Sequence, residues 1–328
     1  MTQAAELSST APTHSIGIDV GGTTIKYVIA DSSGQMVLSE TCPTPKGADE
    51  LVAVVANLVA SLRQRVTDGE LAPICTIETL APVVGVDVPG IVDDHKGMAV
   101  LSVNLEWKNY PMAQRLEEAL DGPVVFGHDV RCGAWAENRW GAGGDNTFYL
   151  ALGTGIGAGL LLDGHPRVGG GWAGEIGQII VPDPDRPGQT TVLERVTSAG
   201  GLAQRLAFYK SEDEKDQVIA AGALGVELAM KDGDKDATYV WNSAIEALAE
   251  AMAHAVCALG PLDIVIGGGL AKAGDVFVVP LREEIAKRLT LAPVPDVLAA
   301  ALGSWSQALG SAGRALEACG VPCGQRAN

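Results

Sequence analysis

The sequence predicts an α/β fold of two domains with a ligand cleft. Three observations support this prediction. The chain has 328 residues, which is about twice the usual length of a domain. Short β-rich runs alternate with amphipathic helical runs. A strand, a glycine turn and a returning strand open each half, which indicates either an internal duplication or a chance similarity of two hairpins.

In the first half, three strands are predicted at residues 15–20, 24–31 and 35–44, with turns at Gly21-Gly22 and Ser33-Gly34. A helix is predicted over residues 49–66, because its first turn is acidic and basic residues lie near its end. A buried strand at residues 83–88, a helix at 112–120 and a strand at 124–127 follow.

The second half repeats this order. Strands are predicted at residues 146–152 and 157–162, again joined by a glycine turn. A helical region is predicted over residues 198–257, and a short strand at 264–266 runs into three glycines.

Composition excludes several classes of protein. With 23 Lys and Arg against 40 Asp and Glu, the net charge is −17, which disfavours nucleic acid and membrane surfaces as partners. No apolar run is long enough to span a bilayer, and residues 1–13 lack the pattern of a secretory signal. We therefore expect a cytoplasmic protein with a disordered tail over residues 1–13. The six cysteines show no spacing typical of a metal site.

The first glycine turn carries residues suited to a nucleotide. Adjacent glycines let backbone N–H groups surround a phosphate, hydroxyl groups donate to its oxygens, and Asp19 could hold Mg²⁺ through water. The residues predicted to bind the cofactor here are Asp19, Gly21, Gly22, Thr23, Thr24 and Lys26. Taken alone, this segment is more typical of a structural hairpin turn than of a nucleotide site.

Two further glycine turns lie at predicted strand ends. The second contains Gly153, Thr154 and Gly155, and the third contains Gly268 and Gly269. Three such turns together can surround a triphosphate and a nucleoside, which one turn cannot do. Their combination predicts a nucleotide site.

The motifs DVGGTTIK, VDVPGIV, NLEW, HD, LGTGIGAG, GEIG and DIVIGGGL occur in this order from Ile16 to about Leu316. In this the chain resembles the ROK family of sugar kinases and related repressors. The resemblance implies an actin/hexokinase-like fold of two RNase-H-like domains. It also implies a small α/β domain of residues 14–128, joined by a C-terminal helix at 305–320, and a large α/β domain of residues 129–304.

The resemblance implies a role for each matching residue. Gly21 to Thr23 and Gly153 to Gly155 match the two phosphate loops, and Gly268 and Gly269 match the adenosine loop. Asp129 matches the catalytic base. The residues matching sugar-binding positions are Asn104, Asp129, Glu175 and Glu194. The residues alone favour other interpretations, with Asp129 as a helix N-cap and Glu194 as a surface salt-bridge partner.

The chain departs from the family pattern after GEIG. Gln178 stands where the family has a histidine that touches the sugar, and PDPDRPGQTTVLE replaces a cysteine-rich zinc segment. Zinc needs thiolate or imidazole ligands, so no structural zinc is expected. The prolines of this loop are one hypothesis for what stiffens it instead. His128 stands where asparagine is common, and these differences bear on the identity of the sugar.

We therefore expect a homodimeric enzyme that uses ATP and Mg²⁺ to phosphorylate a hexose hydroxyl. The first choice of acceptor is O6 of glucose. An N-acetylmannosamine or other amino-sugar kinase is the alternative, and polyphosphate remains open as the donor. The rivals from other classes are a sugar-responsive repressor and a non-catalytic sugar-binding protein. The repressor is disfavoured because only a short polar segment precedes Ile16.

Overall fold

The structure, a computed structural model, describes residues 11–324. Its strands are β1 (His14–Val20), β2 (Thr24–Asp31), β3 (Met36–Pro43), β4 (Leu80–Val88), β5 (Ile91–Asp93), β6 (Met98–Ser102), β7 (Trp107–Tyr110), β8 (Val124–His128), β9 (Thr147–Leu152), β10 (Ile156–Leu162), β11 (His165–Pro166), β12 (Ile180–Pro182), β13 (Thr190–Val192), β14 (Asp263–Gly267) and β15 (Val297–Ala299). Its α-helices are α1 (Ala48–Thr67), α2 (Met112–Leu120), α3 (Asp129–Trp140), α4 (Leu193–Thr197), α5 (Ala199–Phe208), α6 (Glu212–Lys231), α7 (Lys235–Leu259), α8 (Asp275–Arg288) and α9 (Ser306–Ala318).

The chain divides into two compact units. Unit 1 comprises the residues up to 140 together with those from 305 onward, and unit 2 comprises residues 141–304. The predicted boundary after residue 128 is therefore wrong by one helix. The reason is that α3 packs tightly on α9, so closely that a Cβ on Gly310 would lie 2.0 Å from the carbonyl oxygen of Cys132.

The two units contain five-stranded sheets of the same topology. In unit 1 the strand order is β3-β2-β1-β4-β8, and in unit 2 it is β11-β10-β9-β14-β15. In each sheet, counted along the chain, the second strand runs antiparallel to the first and the third runs antiparallel to the second. The fourth and fifth strands run parallel to the first. This shared topology agrees with an internal duplication.

The sheet of unit 1 is covered on both faces. Alternate residues of β1, such as Ile16 and Ile18, join the buried side chains of α1 in one core. On the opposite face α9 lies directly on the backbone of β1 and β4, where Gly17 and Gly85 are paired in register. Ser15 also donates to the carbonyl of Ala312 at 2.6 Å. Glycine at these two positions is what lets α9 approach the sheet.

We expect Gly85→Ala to destabilise unit 1. The added Cβ would lie 2.0 Å from the carbonyl oxygen of Ser311, and such overpacking destabilises by about 1–3 kcal/mol. Thermal unfolding measures the effect. Gly122→Ala is the matched control, because its Cβ would meet its nearest neighbour at 3.8 Å. A melting temperature equal to that of wild type would contradict the account of this packing.

One sheet of unit 1 does not appear in the sequence-based prediction. Strands β5, β6 and β7 form an antiparallel sheet of their own. The turn between β6 and β7 holds Asn104, with Leu105 and Trp107 buried beside it. These strands are short, so their period-2 pattern is weak.

The sheet of unit 2 packs against helices. Side chains of α7, including Trp241 and Leu248, share one core with β9, β14 and α8. The helical region predicted over residues 198–257 consists of α5, α6 and α7, and α6 begins with a capping box of Ser211 and Glu214. Gly222 interrupts α6 with a φ of 63°.

Ten of the thirteen residues predicted as a tail lie outside the described residues. Thr13 donates its backbone N–H to the carbonyl of Thr79 at 2.9 Å. Within residues 11–324, no helix is both long and apolar enough to cross a membrane.

Candidate active site

Three aspartates of unit 1 lie at the carboxyl ends of neighbouring parallel strands. Asp19 on β1 is paired in register with Asp87 on β4, and Asp129 follows β8 directly. Ligands of open α/β sheets bind at this edge. Asp19 and Asp87 are buried, so the sheet concentrates acidic groups where water is scarce.

The cluster holds more acid than its positive charge balances. Lys26 approaches Asp19 with an N–O distance of 3.4 Å. Asp87 accepts a hydrogen bond of 2.5 Å from Ser311, and its Oδ1 is buried without a partner among the described residues. Burial raises the pKa of Asp87 well above its usual range, with the charges of Asp19 and Asp129 adding to the effect. Burial therefore favours the protonated form of Asp87, whose hydroxyl could donate to Asp19.

Asp129 is the first residue of α3. Its Oδ1 accepts the backbone N–H of Val130 at 2.7 Å and lies 3.3 Å from Nε2 of His128. Burial lowers the pKa of His128 to about 3, so its imidazole is neutral and can donate from Nε2. Both contacts involve Oδ1, and Oδ2 has no hydrogen-bond donor within the described residues. That oxygen can accept a proton from a bound hydroxyl.

The electrostatics of Asp129 suit proton transfer near neutral pH. Burial raises its pKa to about 7, and the negative charge of Asp19 contributes. The Asp129 side chain accepts from the backbone N–H of the next residue, Val130, whereas an N-cap side chain accepts from a backbone N–H two or three positions further on. Asp129 therefore lies at the start of α3 without making the usual N-cap hydrogen bond.

The glycine turn between β1 and β2 exposes its backbone. Gly21 donates to the carbonyl of Thr24 at 3.0 Å, and its own carbonyl accepts from Thr44 at 2.8 Å. A Cβ on Gly21 would lie 2.7 Å from the Thr24 oxygen, whereas one on Gly22 would meet nothing within 4 Å. Gly22, Thr23 and Thr24 are exposed. The turn can offer backbone N–H and hydroxyl donors to an anion.

Asn104 lies in the exposed turn between β6 and β7. Among the described residues no hydrogen bond joins it to Asp129. Its predicted role in sugar binding stays a prediction.

Unit 2 brings two of the predicted glycine turns together. β9 and β14 are parallel neighbours, so their carboxyl ends lie side by side. Gly268 has a φ of 75°, and a Cβ there would lie 2.6 Å from the carbonyl oxygen of Leu152, next to Gly153. Only glycine meets both conditions. Gly269 has open space around it.

Glu194 supports the second glycine turn from α4. Its Oε2 accepts the backbone N–H of Ile156 at 2.8 Å, and a Cβ on Gly155 would lie 2.5 Å from the same oxygen. Ser198 donates to the carbonyl of Thr154 at 3.1 Å. Glu194 therefore contacts the glycine turn, and among residues 11–324 it forms no ion pair of the kind that the salt-bridge alternative supposes.

The GEIG segment lies beside Glu194. Gly174 lets the chain approach β10, because a Cβ there would lie 2.2 Å from the carbonyl oxygen of Ala158. A Cβ on Gly177 would lie 3.5 Å from that of Glu194. Glu175 is half-buried at the start of a 3₁₀ turn that ends at Gln178, whose side chain is exposed.

Two residues of these surroundings are absent from the sequence-based prediction. Asp87 is signalled by a carboxylate inside the otherwise apolar strand β4, which is unusual unless the group has a partner or a function. For Ser198 the sequence indicates only a helix N-cap, and the structure shows this role as well, because its hydroxyl accepts from the backbone N–H of Gly201 at 2.9 Å. In the part of the chain that the structure describes, no three His, Cys, Asp or Glu side chains are grouped to hold a metal.

Comparisons with known proteins agree with this geometry. The ROK family model matches residues 15–317. The glucokinase of Halalkalibacterium halodurans is 32% identical over 284 residues, covering 82% of this chain and 84% of that protein. The bifunctional enzyme NanE/NanK of Brucella suis is 30% identical over 306 residues, covering 90% of this chain and 52% of that protein.

Among solved structures, a ROK family glucokinase from Streptomyces griseus in complex with glucose and AMPPNP has a TM-score of 0.72 and 26% identity. The match covers 91% of this chain and 98% of that one. The predicted actin/hexokinase-like fold class is confirmed. Since the family model spans most of the sequence, the chain belongs to the ROK family.

Proposed function

We propose that this chain is an ATP-dependent sugar kinase that phosphorylates O6 of a hexose, with glucose as the preferred acceptor. The observation that carries this proposal is Asp129, whose Oδ1 is held by Val130 and His128 while its pKa is raised to about 7. The similarity to glucokinases over most of the chain supports the same activity.

In the proposed reaction Asp129 acts as the general base. Oδ2 of Asp129 accepts the O6 proton as O6 attacks the γ-phosphorus of ATP, and the bond to the β–γ bridging oxygen breaks to release ADP. Phosphoryl transfer has a loose transition state, so the protein mainly positions the two substrates and balances charge. A base with a pKa near 7 is partly ionised at neutral pH and still accepts a proton well.

The glycine turns supply the nucleotide contacts in this proposal. Gly21 to Thr23 and Gly153 to Gly155 hold the phosphates, and Gly268 and Gly269 hold the adenosine. The open space around Gly22, Gly153 and Gly269 supports these roles, because a Cβ at any of them would meet nothing within 4 Å. A phosphate can therefore approach the backbone closely.

Mg²⁺ is proposed to enter with ATP and to neutralise phosphate charge. Asp19 fits it as an outer partner that acts through water, because its buried carboxylate has one lysine for compensation. Burial raises the pKa of Asp19, and a nearby cation would favour its ionised form. Lys26 is then shared between Asp19 and the nucleotide.

Asn104, Glu175, Gln178 and Glu194 are proposed to bind the sugar hydroxyls. Carboxylates and amides match a neutral polyol, which offers only hydroxyl groups. An amino-sugar acceptor such as N-acetylmannosamine is the second candidate. Gln178 favours it, because an exposed amide can both donate to and accept from an acetamido group. A cytoplasmic homodimer is part of the proposal.

A coupled assay of ADP release tests the proposal. Glucose, mannose, fructose, N-acetylglucosamine and N-acetylmannosamine are compared as acceptors, each with ATP and with polyphosphate alone as donor. The sugar phosphate formed is also measured directly, because transfer from polyphosphate releases no ADP. We expect the highest kcat/KM with glucose and ATP. The absence of phosphorylated sugar with every pair would reject the kinase in favour of a sugar-binding protein or a regulator. A preference for N-acetylmannosamine would select the second candidate.

Glu175→Gln is expected to raise the KM for the sugar about tenfold or more, with a smaller change in kcat. Hydrogen bonds to a charged group contribute about 1.5–3 kcal/mol, and the change keeps the shape of the side chain. Initial rates over a range of sugar concentrations measure it. Glu250→Gln, at an exposed position of α7, is the control. An unchanged KM would remove Glu175 from the proposed sugar site.

A further inference from the structure

Unit 2 contains a cavity apart from the glycine turns. It has a volume of about 410 Å³, within the range of small-molecule sites. Its walls come from α4, α5, the first half of α6 and the loop between β12 and β13. None of the residues assigned above to nucleotide or sugar binding lines it.

The cavity carries surplus positive charge. It is lined by two acids, Asp183 and Asp185, and four basic residues, Arg186, Arg195, Arg205 and Lys215. Both acids are already compensated, because Asp185 pairs with Arg205 at 2.7 Å and Asp183 with Arg186 at 3.5 Å.

One cation of the cavity is unpaired, and a second is paired only with an exposed acid in the described part of the chain. Arg195 has no ion-pair partner among the described residues. Lys215 forms a salt bridge with Glu212, whose side chain is highly exposed, so a phosphate can compete for this lysine. In a chain of net charge −17, this local excess favours an anion. Arginine and lysine side chains in this arrangement suit a phosphate group, which arginine can bind through two hydrogen bonds.

Part of the cavity wall is apolar. Phe208 and Ile219 line it and are about half exposed, and the buried Val196 also lines it. The guanidinium carbon of Arg186 lies 5.4 Å from the centre of the Phe208 ring, which orients this cation over the ring. An aromatic face with an aliphatic neighbour matches the C–H face of a sugar ring. A phosphate alone would leave this wall uncovered.

We infer that this cavity is a second binding site, specific for a phosphorylated monosaccharide. The phosphate contacts Arg195 and Lys215, and the sugar ring packs against the apolar part of the wall formed by Phe208 and Ile219. Arg195 follows Glu194 on α4, and Glu194 holds the glycine turn through Ile156. A ligand bound to Arg195 therefore contacts the same short helix that supports the second glycine turn.

Isothermal titration calorimetry in the absence of ATP tests the inference, with glucose 6-phosphate, inorganic phosphate and glucose as probes. We expect glucose 6-phosphate to bind wild type and Arg195→Gln to weaken that binding about tenfold or more. Lys215→Gln is a second variant at the same site. Arg282→Gln removes an exposed arginine of α8 outside the cavity and is expected to leave the affinity unchanged.

Displacement experiments separate the cavity from the proposed sugar site. Glucose 6-phosphate is also the product of the proposed reaction, so the titration is repeated with the sugar site saturated by glucose. Binding to the cavity is expected to persist under this condition, and Glu175→Gln is expected to leave it unchanged. Complete loss of binding in saturating glucose, or undiminished affinity in both cavity variants, would overturn the inference. Equal affinity for inorganic phosphate would overturn its sugar part. Because the readout is binding without turnover, a failure of the kinase proposal would leave this result intact.

Discussion

Replacing Asp129 with asparagine is expected to lower kcat by about 10²- to 10⁴-fold, the usual contribution of a general base. Asparagine keeps the shape of the side chain and can still accept from Val130, but it cannot take the proton of the sugar hydroxyl. The KM for the sugar is expected to change less than kcat, because hydrogen bonding to O6 persists. Steady-state kinetics of ADP release measure both quantities.

The same substitution is expected to stabilise the protein at alkaline pH. Burial raises the pKa of Asp129 from its ordinary value of 3.8 to about 7 in the folded state. The folded protein is stabilised when this acid is protonated. That contribution is fully present below the pKa of the unfolded state, and it is lost as the pH rises through the pKa of the folded state. A neutral amide avoids this loss. The difference between the variant and wild type should therefore grow between about pH 4 and pH 8.

The magnitude follows from the size of the shift. A shift of about three pKa units corresponds to about 4 kcal/mol, and the partial exposure of the Asp129 side chain reduces this to about 2–3 kcal/mol. Thermal unfolding at a series of pH values measures it. Asp121→Asn is the control, because Asp121 is exposed at the end of α2 in a left-handed conformation that asparagine also adopts.

Two outcomes would contradict this account of Asp129. Turnover of the variant within a few-fold of wild type would exclude a catalytic base at this position. A stability difference independent of pH would show that Asp129 titrates as an ordinary exposed carboxylate. The first result bears on the reaction, whereas the second bears on the burial that raises the pKa.

The hairpins of both sheets follow from local signals in the sequence. The bounds of β2 agree with the predicted strand at residues 24–31, because a glycine turn and a Ser-Gly turn mark its two ends. The three glycine turns are likewise visible in the sequence, since each interrupts an apolar strand. Local chemistry is sufficient wherever a turn residue decides the direction of the chain.

What depends on long-range packing was not predictable in the same way. The boundary between the units follows the contact of α3 with α9, whose residues are about 180 positions apart. Asp87 lies in an apolar strand, and its hydrogen bond to Ser311 joins residues 224 positions apart in sequence. Nothing near Asp87 in the chain indicates that partner. The raised pKa of Asp129 likewise depends on Asp19, at the end of a different strand.

The loop between β12 and β13 contains an ion pair that the sequence does not reveal. Asp185 accepts from Nε and one terminal nitrogen of Arg205 at 2.7 and 3.0 Å, and from the hydroxyl of Tyr209 at 3.0 Å. Arg205 also donates to the carbonyls of Val196 and Val240. Both charged side chains are less than one tenth exposed. We propose that this pair fixes the loop in place of a metal.

Asp185→Asn is expected to lower the stability of unit 2 by about 3–5 kcal/mol, because it leaves the buried charge of Arg205 uncompensated. This corresponds to a fall in melting temperature of about 10 °C. Asp296→Asn removes one partner of an exposed pair with Arg282 and is expected to cost less than about 1 kcal/mol. EDTA is expected to leave the wild-type melting temperature unchanged.

The double variant Asp185→Asn with Arg205→Met distinguishes the ion pair from simple packing. Methionine buries an apolar chain where the guanidinium was, so no unpaired charge remains, and replacing a buried pair by apolar groups is often nearly neutral. The double variant should therefore be more stable than Asp185→Asn alone. If it is less stable, the loop depends on the hydrogen bonds of Arg205 to the backbone rather than on its pairing with Asp185. A fall in the wild-type melting temperature with EDTA would show instead that a bound metal holds the loop.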